Sequence, residues 1–391
     1  MAFDVRRARH ETPGCEHVVH FNNAGAALMP RPVLEATIAH LQLEAQIGGY
    51  EAAARAHDAV ERVYDAAATL LGCHREEIAV VENATRAWDM AFYSVPLRPG
   101  DRILTAMAEY ASNYIAFVQV ARKTGAAIEV IPNDAHGQIS IEALRRAIDD
   151  RVKLIAITHV PTNGGLVNPA AAVGKVARDA GVLYLLDACQ SVGQMPIDVD
   201  VIGCDMLSAT GRKYLRGPRA TGFLYVRREV LDRLEPPFLD LHAAHWVGRD
   251  RFELRPDARR FENWETYYAG KIGLGVAIDY ALDWGLEAIW SRVSGLAEAL
   301  RLRLSTIPGV AVRDLGIERC GIVSFTVDGK DPEAIHRALA EHHINVTVSR
   351  LTSTRLDMEA RGLSSVVRAS VHYYNTEAEV ERFCTTLASL L

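Results

Sequence analysis

The stretch SATGRKYLRGPRATGFLYV, from Ser208 to Val226, places Arg212, Lys213, Arg216 and Arg219 immediately ahead of an apolar run. A lysine amine attacks carbonyl groups only when deprotonated, and a cationic neighbour such as Arg212 helps to depress its pKa. The same arginine can grip a phosphate with its planar fork. A solvated turn or a nucleic-acid patch would also gather positive charge. However, nucleic-acid binding needs a basic field over a whole face and this chain carries a net charge of −6, so no nucleic-acid partner is expected.

Further residues of chemical interest follow apolar runs elsewhere: Asn83-Ala84-Thr85, Glu109-Tyr110, Pro161-Thr162-Asn163, and Asp187 with Gln190. Thr85 opens a helical pattern after a strand, where free N–H groups and the helix dipole favour an anion, although a simple cap would use the same residue. Asp187 ends a strongly apolar strand, where an unpaired carboxylate is costly, so it should face a positive partner in the protein or in a ligand. Tyr110 offers either core packing or a stacking platform. Together the set provides a phosphate site, an aromatic face, a carboxylate and a lysine. Pyridoxal 5'-phosphate requires all four, for its phosphate, ring, pyridine nitrogen and aldehyde.

Two other patterns fail on context. Gly273-Leu274-Gly275 lacks the third glycine and preceding strand of a dinucleotide loop and reads as helix. His242 and His245 could share a helix face as metal ligands, but no nearby acidic or cysteine partner completes a site, so no metal is expected.

These residues must be positioned by a particular architecture. IAVVEN, DRILTAM, AIEVIPN, VKLIAITHV and VLYLLDAC are apolar throughout, as strands buried on both faces are. Between them lie helical patterns such as NPAAAVGKVARDAG, with Asn168 expected as the cap, Pro169 in the first turn and Gly181 just past the end. Such alternation predicts βαβ units and a mostly parallel sheet. Near residue 230 the rhythm changes. A long helical pattern, YYAGKIGLGVAIDYALDWG, then leads into a smaller α+β region ending in a helix from Thr376. No repeat, low-complexity segment or flexible linker interrupts the 391 residues.

Six cysteines are scattered without a CxxC pair, which argues for reduced thiols in a cytoplasm rather than a disulfide or zinc framework. The N-terminus lacks the apolar core of a signal peptide, and no apolar run reaches membrane-spanning length, so no membrane association is expected. Two glycosylation-like triplets, at Asn83 and Asn345, are expected to be chance matches.

From FNNAGAALMP at Phe21 to VRASVHYYNT ending at Thr376, the chain resembles the class V aminotransferase family of fold type I pyridoxal-phosphate enzymes. That family includes cysteine desulfurases, isopenicillin N epimerase-like proteins and hercynylcysteine sulfoxide lyase. DACQSVGQMPIDV and SATGRKYLRGP are the most specific segments. The resemblance implies a large domain over 24–265 with a mostly parallel seven-stranded sheet, and a small domain from 1–23 and 266–391. It also implies that Lys213 is the Schiff-base lysine, Asp187 the partner of the pyridine nitrogen and Gln190 a donor to the ring oxygen. Tyr110 sits where desulfurases stack a histidine; it can stack but cannot shuttle protons as imidazole does. Ala84, Thr85, Thr210 and Arg212 match phosphate-binding positions, and Thr162 stands where desulfurases usually have asparagine. Thr266 is a candidate to reach the phosphate of a neighbouring subunit, so a homodimer is expected. Arg368, with Asn23, is implied at the substrate, the arginine clamping an α-carboxylate.

Desulfurases also carry a nucleophilic cysteine on a loop just before the VRAS segment. Here that loop reads VSRLTSTRLDMEARGLSS, without cysteine. The expected activity is therefore β-elimination from a cysteine S-conjugate or sulfoxide. The alternatives are epimerisation, transamination, the oxidative decarboxylation seen among relatives in lincosamide assembly, or a non-catalytic protein that kept the fold. Arg350 and Arg355 in the loop, and Arg86 near the cofactor, point to an anionic or polar substrate unless they are surface charges.

Overall fold

A computed structural model describes residues 3–391. Its centre is a seven-stranded sheet built from β1 (Ile78–Val81), β2 (Arg102–Ala106), β3 (Ala127–Ile131), β4 (Val152–Thr158), β5 (Leu183–Asp187), β6 (Met206–Thr210) and β7 (Gly222–Val226). The order across the sheet is β1-β7-β6-β5-β4-β2-β3, and only β7 runs antiparallel to its neighbours. Successive residues of β4 show why the central strands are apolar at most positions, whereas β3, at the edge, is only partly buried and carries Glu129. Leu154 and Ala156 enter one hydrophobic cluster, while Ile155 and Ile157 enter another on the opposite face. With both faces covered by helices, alternation with polar residues would leave polar groups in a core.

Register sets the position of the chemistry. Thr158 of β4 pairs with Asp187 of β5, and Asp187 pairs with Ser208 of β6. Three polar side chains thus share one level at the carboxyl ends of parallel strands, where α/β sheets bind ligands.

The helices used below are α1 (Arg31–Ile47), α2 (His57–Leu71), α3 (Ala84–Phe92), α4 (Ala111–Thr124), α5 (Ala170–Ala180) and α6 (Tyr268–Trp284). The cap of α5 is Pro169 rather than Asn168. Asn168 is committed elsewhere: its amide donates to the Thr158 carbonyl at 2.9 Å, and its oxygen accepts from the Ile139 N–H at 3.1 Å. Gly181, at φ +64°, ends α5 in the left-handed conformation expected of a glycine stop.

A second sheet has the order β8 (Val310–Val312), β9 (Ile322–Val327), β11 (Ser365–Ser370), β10 (Thr347–Arg350), antiparallel throughout. The N-terminal stretch joins this region, since Val19–His20 pairs in parallel with Ile344–Asn345. α6, in contrast, packs against α1 and α2. Among the described residues no helix is long and apolar enough to cross a membrane.

Candidate active site

At the carboxyl ends of β4, β5 and β6 lies a cavity of about 630 Å³. Lys213 lines it, in the turn that follows β6. Burial pushes its amine below the ordinary lysine range; Cys189 and Asp187 oppose the shift, while Arg212 and Arg368 reinforce it. A lysine so placed is more readily available as the free base than one in water.

Asp187 also lines the cavity, accepting the Cys189 N–H at one oxygen and the Asn113 amide at the other, both at 3.0 Å. Among the described residues it forms no salt bridge; the positive group that acts on it is the Lys213 amine across the cavity wall. The rings and donors on the cavity walls come from different elements. Tyr110 caps α4, and Ala84 and Thr85 present the first turn of α3, whose cap Asn83 accepts the Arg86 N–H at 2.9 Å. Opposite them, Arg212 donates to the Thr210 hydroxyl at 3.3 Å.

Arg368, on β11, donates to the Thr162 carbonyl at 2.9 Å and to the Thr162 hydroxyl at 2.7 Å. Its Nη2 makes only a 3.4 Å bond to Asn22, and its buried Nε has no partner. Burial lowers its pKa to about 10. The Gln190 amide donates to the Ala24 carbonyl at 3.1 Å and to Thr162 at 3.5 Å, leaving its Oε1 buried and unpartnered.

The opening charge cluster thus divides in two. Arg212, Lys213 and Arg219 line the cavity. Arg216 is fully buried elsewhere, at φ +61°, donating to the Leu28 carbonyl and the Tyr373 hydroxyl and lying 4.6 Å from the Tyr374 ring centroid.

Several expected residues sit elsewhere. Neither Asn23 nor Arg368 lines the cavity itself; Arg368 reaches its wall through Thr162, whereas Asn23 does not. The Asn23 amide is spent on the carbonyls of His20 and Ser370, its oxygen accepts from Tyr374, and it is Asn22 that reaches Arg368. Arg350 pairs with Glu333 and Arg355 with Glu359, both at 2.6 Å on the surface. Arg86 lies over the Phe238 ring and does not line the cavity. Thr266 lines a separate cavity of about 270 Å³ with Glu262 and Lys271. His242 does have an acidic neighbour, Glu262, at 3.0 Å, far from it in sequence terms.

The cysteine-free loop is folded down. Its helix, Arg355–Ala360, is tied to Asn163, whose amide donates to the Thr354 hydroxyl at 2.6 Å. Asn113, four positions after Glu109 at the start of α4, has no local sequence signal for its place beside Asp187. Thr158 and Cys189 line the cavity as well, together with Arg219 of the charge cluster.

Pyridoxal phosphate fits what is present: an unpaired buried carboxylate for its ring nitrogen, a depressed lysine for its aldehyde, and a helix N-terminus with Arg212 for its phosphate. The family model for class-V aminotransferases matches residues 19–383. The chain belongs to the class-V aminotransferase family. Its cofactor is pyridoxal 5'-phosphate, as the family's is. A probable cysteine desulfurase of Xylella fastidiosa is 32% identical, covering 98% of this chain and 95% of its own. One from Methanothermobacter thermautotrophicus is 29% identical over 99% of this chain and 97% of its own. The apo structure of a cysteine desulfurase from Thermococcus onnurineus NA1 has a TM-score of 0.92 at 28% identity, covering 100% of this chain and 98% of that one.

Proposed function

We propose that this enzyme is a C–S β-lyase that cleaves a cysteine S-conjugate or sulfoxide. The observation that carries the reading is the absence of a usable thiol. The loop before β11 contains no cysteine, and Cys189, the cysteine of the cavity wall, has its thiol pushed up to about 12 by burial and by Asp187. A thiol with that pKa is protonated at neutral pH and is a poor acceptor of sulfur.

Bound at Lys213, the cofactor acts as an electron sink for the substrate's Cα. In this reading Arg368 orients the amino acid through its α-carboxylate, using the unpartnered Nε and the weakly bonded Nη2 as a fork. Lys213 takes the α-proton and returns a proton to the departing sulfur. Asp187 would hold the ring nitrogen, Tyr110 would cover the ring, and Thr85, Thr210 and Arg212 would hold the phosphate. With water consumed, a conjugate yields one thiol, pyruvate and ammonium. The reading extends to a homodimer in which Thr266 of the neighbouring copy completes the phosphate site.

The test is turnover of a panel of cysteine conjugates, with products identified by mass. Pyruvate and a released thiol or sulfenate in equal amounts are expected. Release of carbon dioxide without pyruvate would overturn the proposal.

A further inference from the structure

Behind Asp187 stands a second carboxylate that the proposed reaction does not use. Glu109 is 4% exposed and lies between the end of β2 and the start of α4. One of its oxygens accepts from the Tyr110 N–H at 2.9 Å, the Asn113 amide at 2.8 Å and the Thr158 hydroxyl at 2.6 Å. The other accepts from the Thr105 hydroxyl at 3.0 Å and the Thr158 N–H at 3.1 Å. Five donors from three elements converge on a group that packing alone does not require.

The Asn113 amide group donates to both Glu109 and Asp187. Its two hydrogens allow one bond to each carboxylate. Like charges at this separation disfavour each other's ionised form. Among the described residues neither is in a salt bridge, and the cation that acts on Asp187 is the Lys213 amine, itself held below the ordinary lysine range. A protonated ring nitrogen at Asp187 would supply the pair with a further cation.

We infer that Asn113 and Glu109 are positioning residues for the cofactor's ring nitrogen, acting through Asp187. Asn113 fixes the Asp187 carboxylate in one rotamer. Glu109 fixes Asn113 and brings a second carboxyl to the amide that reaches Asp187. Burial pushes the Glu109 carboxyl up to about 7, with the Thr158 and Asn113 hydrogen bonds opposing and Asp187 reinforcing the shift. A cation beyond Asp187 would favour its ionised form. The inference rests on the assignment of Asp187 to the ring nitrogen.

The experiment measures dissociation constants of full-length protein, stripped of cofactor, for pyridoxal phosphate and for the analogue whose ring nitrogen is replaced by C–H. The variants are Asn113→Ala, Glu109→Gln and Asp187→Ala, each checked by circular dichroism. The expected result is that Asn113→Ala and Glu109→Gln each weaken pyridoxal phosphate about tenfold, with the analogue changed much less. Equal weakening of both ligands by these two variants, while Asp187→Ala still discriminates, overturns the inference and leaves the Asp187 assignment standing. If Asp187→Ala itself fails to discriminate, the assignment falls and the inference with it. Should one of the two variants not fold, the other decides, with Glu109→Asp expected to restore part of the discrimination.

Discussion

Arg368 and Thr162 are joined twice, through the threonine carbonyl at 2.9 Å and its hydroxyl at 2.7 Å. This holds the guanidinium in place while leaving the Nε edge free. Arg368→Ala should weaken substrate use by about 2–5 kcal/mol, the usual effect of removing one partner of a buried charge pair. Thr162→Val should cost about 1.5–3 kcal/mol, since a hydrogen bond donated by the charged guanidinium is lost and the carbonyl contact remains. Both effects should appear in kcat/KM while the visible spectrum of the loaded enzyme is unchanged. Loss of cofactor colour in Arg368→Ala would contradict the role.

Lys213 and Lys271 both have amines depressed by burial, so reactivity alone does not separate them. Their surroundings do. Lys271 donates to the Tyr64 hydroxyl, which in turn bonds Glu262, whereas Lys213 faces the large cavity with Asp187. Borohydride reduction of the yellow protein followed by peptide mapping should therefore tag Lys213. Lys213→Ala should lose the lysine-linked band. A tag on Lys271 would show the assignment to be wrong.

Replacing any of the six cysteines should leave turnover within about threefold, because the three buried and three half-buried thiols act here as small apolar groups. Cys189 is the stringent case. With its thiol pushed up to about 12, the thiolate is scarce at pH 8, and iodoacetamide should not label it in the folded protein. Loss of turnover in Cys189→Ser with cofactor affinity intact would reopen sulfur transfer to the protein.

What the sequence made legible followed from local rules. Strands buried on both faces are apolar at nearly every position, so β1, β2, β4 and β5 could be read directly, and strand ends then pointed to Asp187 and Lys213; β3, at the sheet edge, is only partly buried and carries Glu129. Tertiary pairings were harder. Asn22 and Asn23 are adjacent and chemically identical, and only the turn decides which one faces Arg368. Asn113 gains its role because α4 lies beside the end of β5, a relationship with no local signature. Arg216 needs aromatic rings from residues 280, 373 and 374 around it. The Arg355–Glu359 pair, in contrast, has helical i,i+4 spacing and was open to recognition as a surface pair.

The hairpin formed by Ala244–Gly248 and Arg251–Leu254 places Trp246 opposite Phe252, at 81% and 55% exposure, with Leu241 nearby in sequence at 68%. Large apolar side chains left so open mark a protein contact. The enzyme is expected to be a two-fold dimer that uses this surface. Light scattering should give twice 43.0 kDa, and Trp246→Asp should shift the population toward monomer. An active monomer at working concentration would exclude the shared site.

Glu109 supplies a test of electrostatics without substrate or cofactor. Its carboxyl is raised to about 7 in the fold, first by burial, against an ordinary 4.5. Between those values the folded state holds a proton that the unfolded chain has already released. The unfolded state therefore binds fewer protons, and this group's contribution to stability falls as pH rises from about 4.5 to 7, then levels off. Its full size is about 3 kcal/mol, from the shift in pKa. Asp187, Asn113, Thr105 and Thr158 face the group, and Glu109→Gln removes its titration, so the change in slope with pH rather than the absolute stability is the readout. Denaturant unfolding of cofactor-free protein should show wild type losing stability relative to Glu109→Gln between pH 5 and pH 8. Parallel pH profiles for the two proteins would mean that Glu109 does not titrate in this range.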